Sequence, residues 1–221
     1  MQVLWSQARD KPSQKVLQGR TTLKEDKERW LTQHDKDCGD LYGMLPLVKG
    51  MPVMLQDHVS RSKGFSLLRG KVGKIHSWVL DKEERSNGQS GQRLLQQVPK
   101  VVFVKFEGEK WVVPGCKEAG LYPIRPWSRT WFLDKGRKKP QLAVSRFQIP
   151  LAPAFARTAH AAQGQTLEAA VVDLQLGSGV SSIASYVAIT RVKTRKDLLI
   201  YRPFPREVFS AGAPRGATLL L

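Results

Sequence analysis

Residues 158–191 constrain the fold of this chain more than any other stretch. A short polar loop, residues 160–166, lies between two apolar runs, and a compact run typical of a helix follows and ends at Arg191. Gly164 in the loop lets the backbone come close to a ligand, because no Cβ stands in the way. The neighbouring glutamines offer amide donors and acceptors, and an arginine offers a planar fork for phosphate. The pattern therefore predicts one half of a phosphate-handling site.

Two motifs in this stretch resemble the last two signature motifs of superfamily-one DNA helicases. The resemblance is to the RecD-like branch that holds the petite-integration-frequency helicases and the helicases of Helitron transposons. In that family a T-x-H-K-x-Q-G-Q-T segment is followed by Y-V-A-x-[ST]-R. The first motif is matched by Thr158, His160, Gln163, Gly164, Gln165 and Thr166. The second is matched by Tyr186, Val187, Ala188, Thr190 and Arg191. Ala161 stands where the family has a lysine.

The resemblance implies a role for each matched residue. The residues expected at the γ-phosphate of ATP are Gln163, Gly164, Gln165 and Thr166. Arg191 corresponds to the arginine that reaches across the cleft and stabilises charge during phosphoryl transfer. Thr158 and His160 correspond to contacts with the backbone of single-stranded DNA. The structural alternatives are an ordinary glycine turn, a partly buried histidine, and an arginine that offsets its helix dipole.

The sequence lacks the other half of an ATPase. No G-x-x-x-x-G-K-[ST] motif occurs, and the near miss at residues 64–71 has one residue too many, with Val72 where Ser or Thr must bind magnesium. We therefore expect ATP with Mg to be shared with a P-loop RecA-like domain, supplied by the same full-length protein or by a partner chain. Alone, the chain is not expected to hydrolyse ATP.

The charge balance predicts a polyanionic partner. The net charge is +17 and the sequence pI is about 10.2, which favours nucleic acid, single-stranded DNA in the family's case, over a simple solubility surplus. No apolar run reaches the ~18 residues of a membrane span, so no membrane is expected. Two cysteines exclude a disulfide framework and make a zinc site improbable. The basic run 135–139 fits a solvated loop or a nuclear-import signal, and the compartment stays undetermined.

The expected fold class is α/β: a partial RecA-like domain of the P-loop NTPase type with a parallel sheet, plus an inserted small β-barrel. Residues 49–55, with the sequence K-G-M-P-V-M-L, support it, because they resemble a K-x-G-x-P-V-M-L segment of the helicase family. The expected segments are a helical or irregular start (1–44), a RecA-like strand (45–64), the barrel (65–149), the RecA-like part with both motifs (150–203) and a loose tail (204–221).

Hydrophobic periodicity predicts the individual elements. We expect a helix over 22–34 and strands within 45–59, 67–80, 101–106, 111–113, 142–149, 154–159, 169–174 and 197–201. Residues 1–21 suggest a frayed entry and 81–97 a surface loop. The aromatic residues of 111–132 lie among Lys110, Lys117, Arg125 and Arg129. They could stack on bases or form barrel core.

Two rival functions stay open at this point. One is a stand-alone basic nucleic-acid-binding module that kept the fold without the motor. The other is an inactive helicase remnant derived from a transposon. An upstream P-loop domain would favour the helicase, whereas salt-sensitive binding without ATPase activity would favour the binding module.

Overall fold

A computed structural model describes residues 2–18, 23–62, 65–82, 84, 91–156, 158–175 and 182–210. The chain divides into two compact units, residues 1–155 and residues 156–221. Strands and helices occur in both units, so the fold is mixed α/β. Within the described residues, no helix is long and apolar enough to cross a membrane.

The first unit consists mainly of short strands. Its strands are β1 (Val3–Gln7), β2 (Arg9–Pro12), β3 (Met44–Leu47), β4 (Pro52–Leu55), β5 (Ser60–Ser62), β6 (Phe65–Leu67), β7 (Val72–Val79), β8 (Gln92–Leu95), β9 (Val101–Lys105), β10 (Leu121–Ile124), β11 (Trp127–Phe132), β12 (Ala143–Gln148) and β13 (Leu151–Pro153). Its helices are α1 (Gln14–Leu17), α2 (Leu23–Leu31) and a 3-10 turn at Asp35–Cys38.

The largest sheet has five antiparallel strands in the order β10-β9-β7-β4-β13. Alternate residues of β9 face the core, which leaves Val102 and Val104 fully buried. Gly73 in β7 permits this packing, because a Cβ there would lie 2.6 Å from Cγ1 of Val104. A smaller sheet, β3-β1-β8, adds Leu4 to the same core.

A third sheet, β11-β12-β2, has a core of its own. Trp131 and Val144 are register partners on its inner face and pack with Trp30 of α2. The rings of Trp30 and Trp131 meet edge to face, with centroids 5.9 Å apart. The same face buries an ion pair between Asp10 and Arg146. This sheet therefore ties the start of the chain to residues more than a hundred positions later.

The second unit contains β14 (Ala170–Val172), α3 (Ser182–Ile189), β15 (Leu198–Ile200) and α4 (Glu207–Ser210), with 3-10 turns at His160–Ala162 and Arg195–Asp197. β14 and β15 run parallel, with Val171 opposite Leu199. Val172 of β14 and Leu174 just after it are buried, whereas Val171 is exposed. Strands are predicted within 169–174 and 197–201, and the structure has β14 and β15 there; two parallel strands in the described residues do not confirm the predicted RecA-like parallel sheet.

Several local predictions are confirmed. The helix is α2, with residue 22 outside the described residues, and the strands predicted within 67–80, 101–106 and 142–149 are β7, β9 and β12. The run 45–59 is not one strand but two, β3 and β4, because Gly50 turns the chain with a φ of 80°.

Other predictions are wrong. Residues 1–21 contain β1 and β2, and the predicted loop 81–97 contains β8, because these strands find partners far along the chain. Residues 111–113 do not form the strand that returns beside β9; β10 does. Residues 154–156 continue past β13 without forming a strand, and 160–162 form a 3-10 turn.

The inserted barrel is not seen as a closed structure. The described strands of 65–149 divide among four sheets, and each of those sheets also contains a strand from 1–64. β13, beyond residue 149, forms an edge of the five-stranded sheet. The predicted barrel segment thus shares its sheets with strands from the residues on both sides of it.

Candidate functional site

The loop of the first helicase-like motif is closed by its own hydrogen bonds. The backbone N–H of Ala161 donates to Oγ1 of Thr158 at 3.3 Å, and within the 3-10 turn at His160–Ala162 the N–H of Ala162 donates to the carbonyl of Ala159 at 3.1 Å. Nε2 of Gln165 donates to the carbonyl of Ala161 at 3.4 Å. Ala162 is buried and anchors the turn. The predicted DNA contact Thr158 therefore also serves its own loop.

The polar side chains of this loop lie on the surface. The exposed residues are Thr158, His160, Gln163, Gln165 and Thr166. Gly164 has a φ of 77°, a conformation that favours glycine. A Cβ at Gly164 would meet no atom within 4 Å. The loop thus presents amide and hydroxyl groups next to open space.

The second motif ends helix α3 and caps it. Oγ1 of Thr190 donates to the carbonyl of Tyr186 at 2.9 Å. The guanidinium of Arg191 donates from Nε to the carbonyl of Val187 and from Nη2 to Oγ1 of Thr190, both at 2.9 Å. Arginine commonly bonds the last carbonyls of a helix in this way. In this structure the side chain of Arg191 lies along its own helix end.

The two motifs meet through the backbone. The N–H of Leu167, next to the first motif, donates to the carbonyl of Arg191 at 2.8 Å. Leu167 and Val192 form an isolated parallel bridge. Helix α3 also packs against the turn at His160–Ala162. The fold of the second unit thus brings together the two sequence segments predicted to act together.

The surroundings of these motifs are rich in cations. Lys193, Arg195 and Lys196 are exposed just after Arg191. Arg202 is paired with Asp173, and the hydrogen bond from its guanidinium lowers the pKa of that carboxyl. Phosphate would therefore find several positive groups on this unit.

The donor set of the loop suits phosphate better than magnesium. It consists of amides, hydroxyls and a guanidinium, which bind anionic oxygens. Magnesium is usually held by carboxylates together with phosphate oxygens. Across the described part of the chain, no three His, Cys, Asp or Glu side chains lie together where they could hold a metal ion.

The other residues singled out from the sequence have packing partners. Trp111 packs against Phe106 and Tyr122 of the first unit's core. Arg129 is paired with Asp57 and lies 5.7 Å from the ring of Trp127. The contacts of Trp111 favour its core interpretation over base stacking, whereas Trp127 contacts Arg129 and is in neither core cluster.

Solved structures show which fold this arrangement belongs to. Pif1 helicase from Candida albicans has 21% sequence identity and a TM-score of 0.56, covering 99% of this chain and 43% of that one. Bacteroides Pif1 bound to ssDNA has 14% identity and a TM-score of 0.56, with 98% and 38% covered. The Bacteroides enzyme in complex with ADP-AlF3 and ssDNA has 15% identity and a TM-score of 0.54, with 96% and 37% covered.

No family model and no curated protein matches the chain. The chain spans less than half the length of the solved helicases. Their likeness extends over nearly all of its residues. The resemblance first seen in the motifs is thereby confirmed at the level of the fold, because the chain has a fold similar to that of the solved Pif1 helicases.

Proposed function

We propose that this chain is the C-terminal RecA-like domain of an ATP-dependent DNA helicase. The observation that carries the proposal is the backbone bridge between the two motifs, in which Leu167 bonds to Arg191 at 2.8 Å. Two loops that must act on one nucleotide have to lie side by side. In this chain, two motifs similar to those of the helicase family lie side by side in this way.

The first role is to sense the γ-phosphate of ATP. The residues assigned to it are Gln163, Gly164, Gln165 and Thr166, whose amide and hydroxyl groups can bond to phosphate oxygens. Arg191 supplies the positive charge that stabilises the transferring phosphoryl group. To reach a phosphate, its guanidinium must leave the carbonyl of Val187 and the hydroxyl of Thr190. An arginine in this role is worth about 10³–10⁵ in rate.

The second half of the nucleotide site belongs to a P-loop domain. That domain would hold Mg and the remaining phosphates, because this sequence has no P-loop motif and the described residues include no carboxylate cluster for a metal ion. ATP supplies the free energy of hydrolysis when it is bound between the two domains. Residues of this chain then respond to the presence or loss of the γ-phosphate.

The third role is to hold single-stranded DNA. Thr158 and His160 are exposed at the start of the motif and can donate to phosphate without sequence preference. Ala161 removes a cation that the family has at this point, so we expect a weaker contact here. Lys193 and Lys196, exposed beyond Arg191, add positive charge on the same unit.

The test is a substitution at Arg191 in a two-domain protein. This chain would be produced together with a P-loop RecA-like domain of a Pif1 helicase, and DNA-stimulated ATP turnover would be measured. We expect Arg191→Ala to lower kcat by about 10³-fold or more with little change in KM. Arg206→Ala, an equal loss of charge at an exposed position of the same unit, is the control and should turn over normally. Equal turnover by the Arg191 variant would refute the assignment.

The net charge of +17 also favours a second function, a basic nucleic-acid-binding module without a motor. Such a module would bind single strands in a salt-dependent manner. It would show no ATPase activity beside any P-loop partner. The same reconstitution therefore separates the two functions.

A further inference from the structure

The third sheet of the first unit, β11-β12-β2, has one covered face and one open face. The covered face holds Trp131 and Val144, which pack with Trp30, and it also buries Arg146. Helix α2 lies on that side, since the carbonyl of Trp30 accepts a hydrogen bond from Arg146 at 2.7 Å. Antiparallel sheets often leave the opposite face to solvent.

The strand register shows which side chains share the open face. Ser145 of β12 lies opposite both Lys11 of β2 and Thr130 of β11. The next row toward one end is Arg9–Phe147–Ser128, and the row toward the other end pairs Ala143 with Phe132. Because successive side chains alternate, these positions face away from Trp131 and Val144. We call this surface the open face.

We propose that the open face binds single-stranded nucleic acid, with Arg9 and Lys11 on phosphates and the ring of Phe132 stacked on a base. This proposal rests on the proposed function in one respect: both take single-stranded nucleic acid as the ligand. It adds a binding surface in the first unit, apart from the motifs of the second.

The charges of the open face favour an anionic partner. Arg9 and Lys11 are both exposed, and they lie about 6.8 Å apart along one strand. The acidic residue between them, Asp10, points to the covered face, where its side chain is 2% exposed beside Arg146. Asp134, just after β11, accepts hydrogen bonds from the backbone amides of Gln141 and Leu142. The nearest carboxylates are thus turned away or bonded.

The apolar and hydroxyl groups distinguish nucleic acid from other polyanions. Phe132 is 37% exposed, whereas Phe147 packs partly against the core. An exposed ring on a sheet surface is a platform for an unpaired base. Thr130 and Ser145 supply hydroxyl groups between the ring and the cations, where a sugar or phosphate would lie. A membrane would require a larger apolar area than one ring.

The test uses the whole chain and a fluorescent oligodeoxythymidine of about 12 nucleotides, a length within the range of single-strand-binding surfaces. We expect Phe132→Ala to weaken binding roughly tenfold and Phe132→Tyr, which keeps a ring, to bind normally. Arg9→Ala with Lys11→Ala should reduce the salt-dependence slope by about 0.7 for each phosphate that is no longer neutralised. Lys24→Ala, an exposed cation of α2, is the matched control and should bind as the unsubstituted chain does.

A second measurement covers variants that do not fold. Photo-crosslinking of the unsubstituted chain with a thiothymidine oligonucleotide should label peptides 128–132 and 143–147. Normal binding by the Phe132 and Lys11 variants, or labelling elsewhere alone, would overturn the proposal. If His160→Ala then weakens binding, the proposed function stands without the open face. If the open-face variants weaken binding but His160→Ala does not, the open face stands and the motif's DNA contact fails.

Discussion

The buried pair of Asp10 and Arg146 allows a stability prediction with a defined magnitude. The side chain of Arg146 is 0% exposed and that of Asp10 is 2% exposed. The guanidinium donates to both carboxylate oxygens, at 2.9 and 2.7 Å, and to the carbonyls of Leu41 and Trp30. It also lies 5.6 Å from the ring of Trp131. Four segments of the first unit therefore meet at one charge.

Removing the carboxylate leaves this charge buried without its counter-charge. Breaking a buried pair in this way costs about 3–5 kcal/mol. Asp10→Asn keeps the shape and one acceptor, and two carbonyls still bond to the guanidinium, so we expect a cost near 3 kcal/mol. That is a large share of the roughly 5–15 kcal/mol by which domains are stable. The double variant Asp10→Leu with Arg146→Met removes both charges and takes a donor from the carbonyls of Leu41 and Trp30, and it should cost less than Asp10→Asn.

The measurement is urea unfolding followed by tryptophan fluorescence, because Trp30 and Trp131 lie beside the pair. Asp173→Asn is the control, since it breaks an exposed pair with Arg202 and should change the free energy of unfolding far less. A cost of less than about 1 kcal/mol for Asp10→Asn would refute the reasoning. So would a double variant as unstable as the single one, because the penalty would then not come from an unpaired charge.

Two other predictions concern the core of the first unit. Burial raises the pKa of the Cys38 thiol to about 11, so at neutral pH a thiol reagent should modify the partly exposed Cys116 and reach Cys38 only on unfolding. Because an unfolded thiol ionises more readily than the buried one, the free energy of unfolding should fall as pH rises from about 9 toward 11, a loss that Cys38→Ala should abolish. Gly73→Ala places a Cβ 2.6 Å from Cγ1 of Val104 and should lower the free energy of unfolding by about 1–3 kcal/mol. Gly136→Ala is the control, because a Cβ there meets no atom within 4 Å. Equal melting temperatures for the two variants would contradict this prediction.

The elements predicted correctly are those whose sequence pattern is local. In β9, apolar residues alternate toward a core, and the strand lies where this pattern predicted it. The strands predicted within 169–174 and 197–201 likewise lie in short apolar runs, as β14 and β15. Neither prediction required knowledge of a distant residue.

The missed strands depend on distant partners. β2 has the sequence Arg-Asp-Lys-Pro, which is typical of a loop. The apolar alternation of a strand is missing because a charged residue, Asp10, faces inward. Only the position of Arg146 in the fold makes that carboxylate a core group. Similarly, the strand beside β9 is β10. Just before β10, the backbone at Gly120 lies so close to Phe106 that a Cβ at Gly120 would be 2.4 Å from the carbonyl oxygen of Phe106. The alternation of Ser128, Thr130 and Phe132 was the available signal for the open face.

The motif residues were found from their resemblance, but the position of Arg191 was not predictable. Its two hydrogen bonds fit the alternative interpretation, an arginine that caps its helix. Capping and phosphate contact are compatible as two states of one side chain. The present acceptors of the guanidinium are neutral oxygens, whereas a phosphate would add the attraction of an opposite charge and could accept two parallel N–H bonds. A phosphate within reach would therefore draw the guanidinium from the helix end, and its loss would let the side chain return.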